Sequence, residues 1–214
     1  YHSYRNCKIE NFKKACEYLA NKGIFVIRMG AKVKEKLNMN NSKIIDYATN
    51  GMRNEFMDIY LGSKCFFWLS TGSGLDSLNQ VFRKPIIYTN CSPIGFTIKT
   101  KKDALTIYKH HFDNKTKKRL SIKEIMEKNL QYADSVQKYS NENIDLIENT
   151  PLEISDAVEE MYNRLTFTWK EDKEGENLQD LFWKNLFSND KSKEKIVSRI
   201  GSNFLKENKY LLTT

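Results

Sequence analysis

Residues 65–90, CFFWLSTGSGLDSLNQVFRKPIIYTN, constrain the fold more than any other part of the chain. An apolar run stops at small polar residues, a helical segment follows, and a second apolar run ends in Asn. Apolar runs without alternation suit strands of a sheet covered on both faces. Strand, helix and strand at this short spacing read as a parallel unit with a right-handed crossover. The first strand is predicted over residues 65–69 and the second over residues 85–90. Between them, residues 73–84 form a helix expected to turn Leu75, Leu78, Val81 and Phe82 inward.

Similar patterns continue on both sides. Ile9, Phe12, Ala15, Cys16 and Leu19 recur at helical spacing before Gly23, a natural C-terminal stop. IFVIRMG predicts a short buried strand over residues 24–29, and residues 31–42 read as a loop. SKIIDYATN is ambiguous, with a short strand as one reading. Phe56, Ile59 and Tyr60, together with Met52, share one face of a following helix. After Pro93 the pattern loosens into a small strand and a loop that carries His110 and His111. Ser121 with Glu124 predicts a capping box, IDLIENT a strand, and Thr150 a cap for a helix opening at Pro151. Residues 177–187 and 195–212 predict two more amphipathic helices joined by a charged linker. The expected fold is α/β: a Rossmann-like parallel sheet over residues 1–165, with a helical extension, residues 166–214, packed on it.

A net charge of +8 favours phosphorylated or polyanionic partners. The basic residues are scattered among acids, however, and no basic motif interleaved with aromatics appears, so no stable nucleic-acid partner is expected. Cys7, Cys16, Cys65 and Cys91 are widely spaced and form no Cys-x-x-Cys pair, which predicts reduced thiols and no zinc. No apolar run approaches the ~20 residues needed to cross a bilayer, and the first residues lack the apolar core of a signal peptide. A soluble cytoplasmic protein is expected. Because the chain starts at Tyr1 rather than Met, a fragment lacking an upstream domain is expected as well.

Chemistry is expected at the carboxyl ends of the strands, where ligands gather in open α/β sheets. Thr71, Gly72, Ser73 and Gly74 follow a strand and open a helix, so free backbone N–H groups there can hold a phosphate. The competing reading is a tight turn with Ser73 as helix cap. Neither the P-loop pattern nor the three-glycine dinucleotide fingerprint is present. Arg28, a charge in an apolar run, can grip phosphate at the same edge, or can pair with an acid such as Asp58. Asn90 can bond a ribose, base or sugar, or can cap a turn. Adjacent His110 and His111 face opposite ways and have no third ligand in view; a polar loop is expected there. His2 stands beside the YRN segment and could enter the site. Glu148 and Asp156 read as a strand-end acid and a helix-surface acid. The aromatic residues Trp169, Phe182, Trp183, Phe187 and Phe204 read as core packing. Gly72-Ser73-Gly74 lacks the spacing of a hydrolase nucleophile elbow.

YRNCKIENFKKACEYLANKGIFVIRMG, MDIYLGSKCFFWLSTGSGLDSLNQVFRKPIIYTN, LSIKEIMEKN and LIENTPLEISDAVEEM together resemble a family of bacterial glycosyltransferases. The likeness covers residues 4–212 and is most specific at YRN, RMG and the TGSGL turn. It implies a GT-B-like arrangement of two Rossmann-type domains, with this chain as the C-terminal, nucleotide-sugar-binding one. The implied donor site comprises Arg5, Asn6, Arg28, Gly30, Thr71, Gly72, Ser73, Gly74 and Leu75, with Asn90 added from its strand-end position. The implied partners are a nucleotide-diphosphate sugar, a glycan or lipid-linked acceptor of the cell surface or envelope, and a missing N-terminal domain. Such enzymes generally need no bound metal and no cofactor beyond the donor, and can lie peripheral to the inner membrane. No catalytic residue can be assigned within this chain, and alone it is expected to be inactive.

Overall fold

The strand–turn–helix–strand unit forms and is the start of a larger parallel sheet. The computed structural model describes residues 3–187 and 195–213. Helix α1 (Lys13–Asn21) precedes strands β1 (Val26–Ile27) and β2 (Ile44–Ile45), which pair in parallel as a separate small sheet. Helix α2 (Glu55–Lys64), strand β3 (Trp68–Ser70), helix α3 (Asp76–Phe82), strand β4 (Ile86–Cys91) and strand β5 (Ala104–Tyr108) follow. Then come β6 (His110–Asp113), β7 (Lys118–Arg119), α4 (Ile122–Glu127), α5 (Val136–Asn141) and β8 (Ile144–Ile147). Helices α6 (Pro151–Leu165) and α7 (Lys173–Leu186), strand β9 (Arg199–Ile200) and helix α8 (Ser202–Glu207) complete the order.

The main sheet runs β3–β4–β5–β9 with every pairing parallel, an architecture compatible with a Rossmann-like fold. A second, antiparallel sheet runs β7–β6–β8. Only Lys109 separates β5 from β6, so the chain changes sheets at the carboxyl end of β5. Ile87, Leu105 and Ile107 of the main sheet share the core with Ile154 and Val158 of α6, while Ile86 is buried in a smaller cluster with Trp68, Tyr88 and Ala104. Each fully buried side chain of this kind contributes about 1.5–3 kcal/mol. The capping box read from the sequence, Ser121 with Glu124, is present, and the Thr150 cap proves to be a second capping box, closed by Glu153. The C-terminal aromatics pack largely as expected, with Phe182 and Phe204 buried and Trp183 stacked on Phe187. All four cysteines are free, and among the described residues no helix is long and apolar enough to cross a membrane.

Several expectations need correction. The strand after Gly23 is not buried: Phe25 is exposed, and Val26 and Ile27 are half-buried, because they belong to the small sheet. Residues 104–108, expected in a small strand and loop, are a wholly buried strand with parallel neighbours on both sides. His110 and His111 lie buried in β6 rather than in a polar loop. Arg199 and Ile200, expected in a helix, form the fourth strand of the main sheet. On α3, Val81 faces solvent, while Asp76 and Asn79 are buried. The reason is polar: Asp76 accepts from Ser70, and the Asn79 amide donates to the Lys84 carbonyl at 2.6 Å. The charged linker after Phe187 and His2 lie outside the described residues.

Candidate functional site

Strands β3, β4 and β5 end side by side, and a cavity of about 180 Å³ opens at their carboxyl ends. Thr71 and Gly72 reach it from the β3–α3 turn, Tyr88 and Cys91 from β4, and Thr106 and Tyr108 from β5. Phe96, Thr97 and Ile98 close one side, after the cis Ser92–Pro93 bond, and Arg5 enters from the N-terminal segment. Burial pushes the Cys91 thiol up to about 12, with Asp76 adding to the rise and Arg5 opposing it. The Thr97 and Tyr108 hydroxyls are hydrogen-bonded to each other at the cavity wall.

The turn is organised around a carboxylate. Ser70 Oγ donates to Asp76 Oδ1 at 2.6 Å and accepts from the Gly72 N–H at 3.2 Å, while Ser73 Oγ donates to the same carboxylate at 3.4 Å. Burial raises the Asp76 carboxyl, and the Ser70 and Ser73 bonds only partly offset it. The first turn of α3 therefore already faces an acid of the protein's own, and a seven-residue helix has little dipole to offer. Gly72, at φ +80°, needs glycine for its backbone and has open space where a Cβ would stand. Gly74 also has open space, but without a positive φ. Leu75 is the N-cap residue of α3, without a side-chain cap bond, and packs towards Trp68 and Tyr88. Of the TGSGL stretch, Thr71 and Gly72 face the cavity.

The N-terminal residues form a strap across the strand ends. Tyr4 is buried against the Tyr139 ring, and Arg5 lies over the Tyr4 ring with Nε donating to its hydroxyl at 3.1 Å. The Asn6 carbonyl accepts from Lys109 Nζ at 2.5 Å, at the end of β5. The Lys8 N–H and Asn11 Nδ2 both donate to Glu148 Oε2 at 2.9 Å, just past β8. Burial lowers the pKa of the Lys109 ammonium, while Glu148 and Cys7 act to raise it. Burial likewise raises the Cys7 thiol, with Glu148 adding to the effect and Lys109 and Thr71 opposing it.

Asn90, the next-to-last residue of β4, has φ +53° and is buried. Its N–H donates to Asn149 Oδ1 at 2.6 Å, its Oδ1 accepts from the Asn149 N–H at 2.7 Å, and Asn149 Nδ2 donates to the Tyr108 carbonyl at 2.7 Å. The pair clasps the ends of β4 and β5 to the start of α6. Asn90 therefore supports the cavity rim and is not among the residues lining it.

Arg28 and Gly30 are not brought to this edge. Arg28 Nη1 donates to the Glu35 carbonyl at 2.6 Å and to Asp46 Oδ2 at 3.2 Å. Asp46 also accepts from the Leu37 N–H and Thr49 Oγ1, and these bonds lower its carboxyl despite burial. The acid suggested for Arg28 from sequence, Asp58, pairs with Arg53 at 2.7 Å. At Gly30 a Cβ would stand 2.8 Å from Val33 Cγ1, so this glycine serves the close fold of the 31–42 loop. Asn6 takes part through its backbone, its carbonyl accepting from Lys109 and its N–H donating to the Ser3 carbonyl at 3.0 Å, and its residue is exposed. Lys109, Cys7, Tyr88 and Glu148 complete the site without having been singled out for it. Lys109 carried the same signal as Arg28, a lone charge ending an apolar run.

Among the described residues, no three of His, Cys, Asp and Glu cluster closely enough to hold a metal ion. Comparison with protein-family models, with curated proteins and with solved structures finds no match.

Proposed function

We propose that this chain binds a nucleoside-diphosphate sugar at the carboxyl edge of its parallel sheet, as the donor-binding domain of a GT-B-type glycosyltransferase. One observation carries the binding part: Arg5 and the Thr71–Gly72 turn line the same cavity at the strand ends. A guanidinium fork suits a diphosphate, and the Thr71 hydroxyl stands beside an opened glycine backbone where a phosphate can approach closely. Tyr88 and Phe96 offer aromatic surface for a base or sugar. The transfer part rests on the sequence resemblance, with a glycan or lipid-linked acceptor supplied on a second domain.

A second reading, a non-catalytic nucleotide- or phosphate-binding module, is favoured by one feature: no carboxylate or imidazole is among the lining residues. The two are separated by donor turnover. Calorimetry of the chain against UDP, GDP, ADP, CMP and their sugars is the first test. One nucleotide should bind saturably, and Arg5→Ala should weaken it about ten- to a hundredfold, the worth of a charged hydrogen bond. Arg28→Ala should leave the affinity of the folded protein unchanged. If no nucleotide binds the folded chain at millimolar concentration, the donor-site proposal fails.

A further inference from the structure

The cavity at the strand ends cannot enclose a whole nucleoside diphosphate. Pockets that enclose a ligand of that size measure about 300–1,000 Å³, against about 180 Å³ here. A ligand held inside by its phosphates therefore leaves its base or its sugar over the rim. Part of that rim is an aromatic ring that the fold sets out in the open. Within the turn Ile94–Phe96, Ile94 is 1% exposed and pins the backbone to the core, while Phe96 is 60% exposed and still lines the cavity. The Gly95 N–H donates to the Gln131 carbonyl at 2.7 Å, and a Cβ at Gly95 would stand 2.5 Å from the Tyr132 ring. Glycine thus lets that ring lie against the turn, where it meets Phe96 with centroids 5.5 Å apart and planes tilted by 47°. Tyr132 does not line the cavity itself, so its contact steadies Phe96 from outside.

The side chains beside Phe96 favour a base over a sugar. Pro93 and Ile98 are apolar. The Thr97 hydroxyl donates to the Ile94 carbonyl at 2.6 Å and is bonded to the Tyr108 hydroxyl as well. The Tyr139 hydroxyl donates to the Ala133 carbonyl, so in its 2.8 Å bond to Ser92 the serine is the donor. Both hydroxyl donors next to Phe96 are therefore spent inside the protein. A hexose laid here would give up water at several hydroxyls and find no side-chain donor in exchange. A nucleobase needs only its π face covered, and stacks on an aromatic ring whatever its edge carries.

We propose that Phe96 is the base-stacking residue of this site, with the diphosphate inside the cavity and the base outside on the phenyl ring. The inference rests on the nucleoside-diphosphate reading and names the part of the ligand that Phe96 holds. The test is calorimetry of the chain with UDP, GDP and ADP, each beside inorganic pyrophosphate, which has the phosphates and no base. Phe96→Ala should weaken every nucleotide that binds about tenfold and leave pyrophosphate unchanged, with circular dichroism and melting midpoint confirming the fold. Arg5→Ala should weaken nucleotide and pyrophosphate alike. Phe96→Trp should keep the wild-type affinity, and its added indole emission should be quenched by nucleotide but not by pyrophosphate. Nucleotide affinity indifferent to Phe96→Ala, an equal loss for pyrophosphate, or indole emission that nucleotide leaves unquenched would overturn the inference while the donor-site reading stands. A folded chain that binds neither pyrophosphate nor any of the nucleotides at millimolar concentration would overturn both.

Discussion

Glu153→Gln tests how the C-terminal segment is tied to the rest of the fold. Glu153 is the third residue of α6 and closes its capping box, accepting from the Thr150 N–H at 2.8 Å. It also faces His110 Nε2 at 3.0 Å and accepts from Asn208 Nδ2 at 3.0 Å, while His110 Nδ1 bonds the Tyr210 hydroxyl at 2.7 Å. Burial pushes the Glu153 carboxyl up, but the hydrogen bond and charge of His110, with Thr150 and Asn208, hold it at about 2 against an ordinary 4.5. A carboxyl more acidic in the folded than in the unfolded chain stabilises fully above its unfolded value. That contribution fades as pH falls towards the folded one. The difference corresponds to about 3 kcal/mol at neutral pH and about 1 kcal/mol at pH 3. Glutamine keeps an acceptor for the cap, so its loss reports the charge. Urea unfolding of both proteins at pH 7 and pH 3 should show Glu153→Gln less stable by about 3 kcal/mol at the higher pH, with most of the gap closed at the lower. A gap that stays constant across this range, or one below about 1 kcal/mol at pH 7, would refute the assignment of His110 as the group that holds Glu153 ionised.

Four further substitutions test the turn, the clasp and the packing around the sheet. Asn149→Ala leaves the Asn90 N–H and the Tyr108 carbonyl buried without their partner, and should lower unfolding stability by about 2–5 kcal/mol in a urea titration. Gly72→Ala should cost about 1 kcal/mol, because alanine is strained at φ +80°, whereas Gly74→Ala should be neutral or gain about 0.4–1 kcal/mol; thermal melts of the pair check the contrast. Gly62→Ala pushes a methyl group against the Trp68 ring and should cost about 1–3 kcal/mol, with a change in tryptophan emission.

Local pattern was enough to find the β3–α3–β4 unit, the Ser121–Glu124 capping box and the Thr150 cap, because each is written within a few consecutive residues. Strand β9 was not legible: two residues in a charged segment become a strand only because β5 offers them a parallel edge. Strand β5 itself was obscured by Thr106 and by the polar residues on either side, although it is buried throughout. Periodicity found the apolar face of α2 but could not say which way it turns; Gly62 against Trp68 decides that. Within the site, Arg5, Thr71 and Gly72 were named from sequence and do share a cavity. Arg28 was placed at the same edge on the assumption that all strands join one sheet. It instead belongs to the small β1–β2 sheet, and Asp46, whose loop folds back onto it, takes its charge. The importance of Lys109 and Glu148 depends on where the strap crosses, a long-range fact that no window of sequence contains.

That strap makes ligand binding and the ordering of the first residues one equilibrium. Arg5 reaches the cavity only while Asn6 and Lys8 are seated on Lys109 and Glu148. A ligand gripped by Arg5 therefore draws its affinity after the cost of seating the strap, and in return locks it down, by about 2.7 kcal/mol at a hundred times its dissociation constant. Amide exchange in residues 3–11 is accordingly the most sensitive local reporter of occupancy, more so than any signal from the rigid strands beneath. Any tag or domain joined ahead of these residues begins at the rim of the cavity, and its length and charge will be felt there.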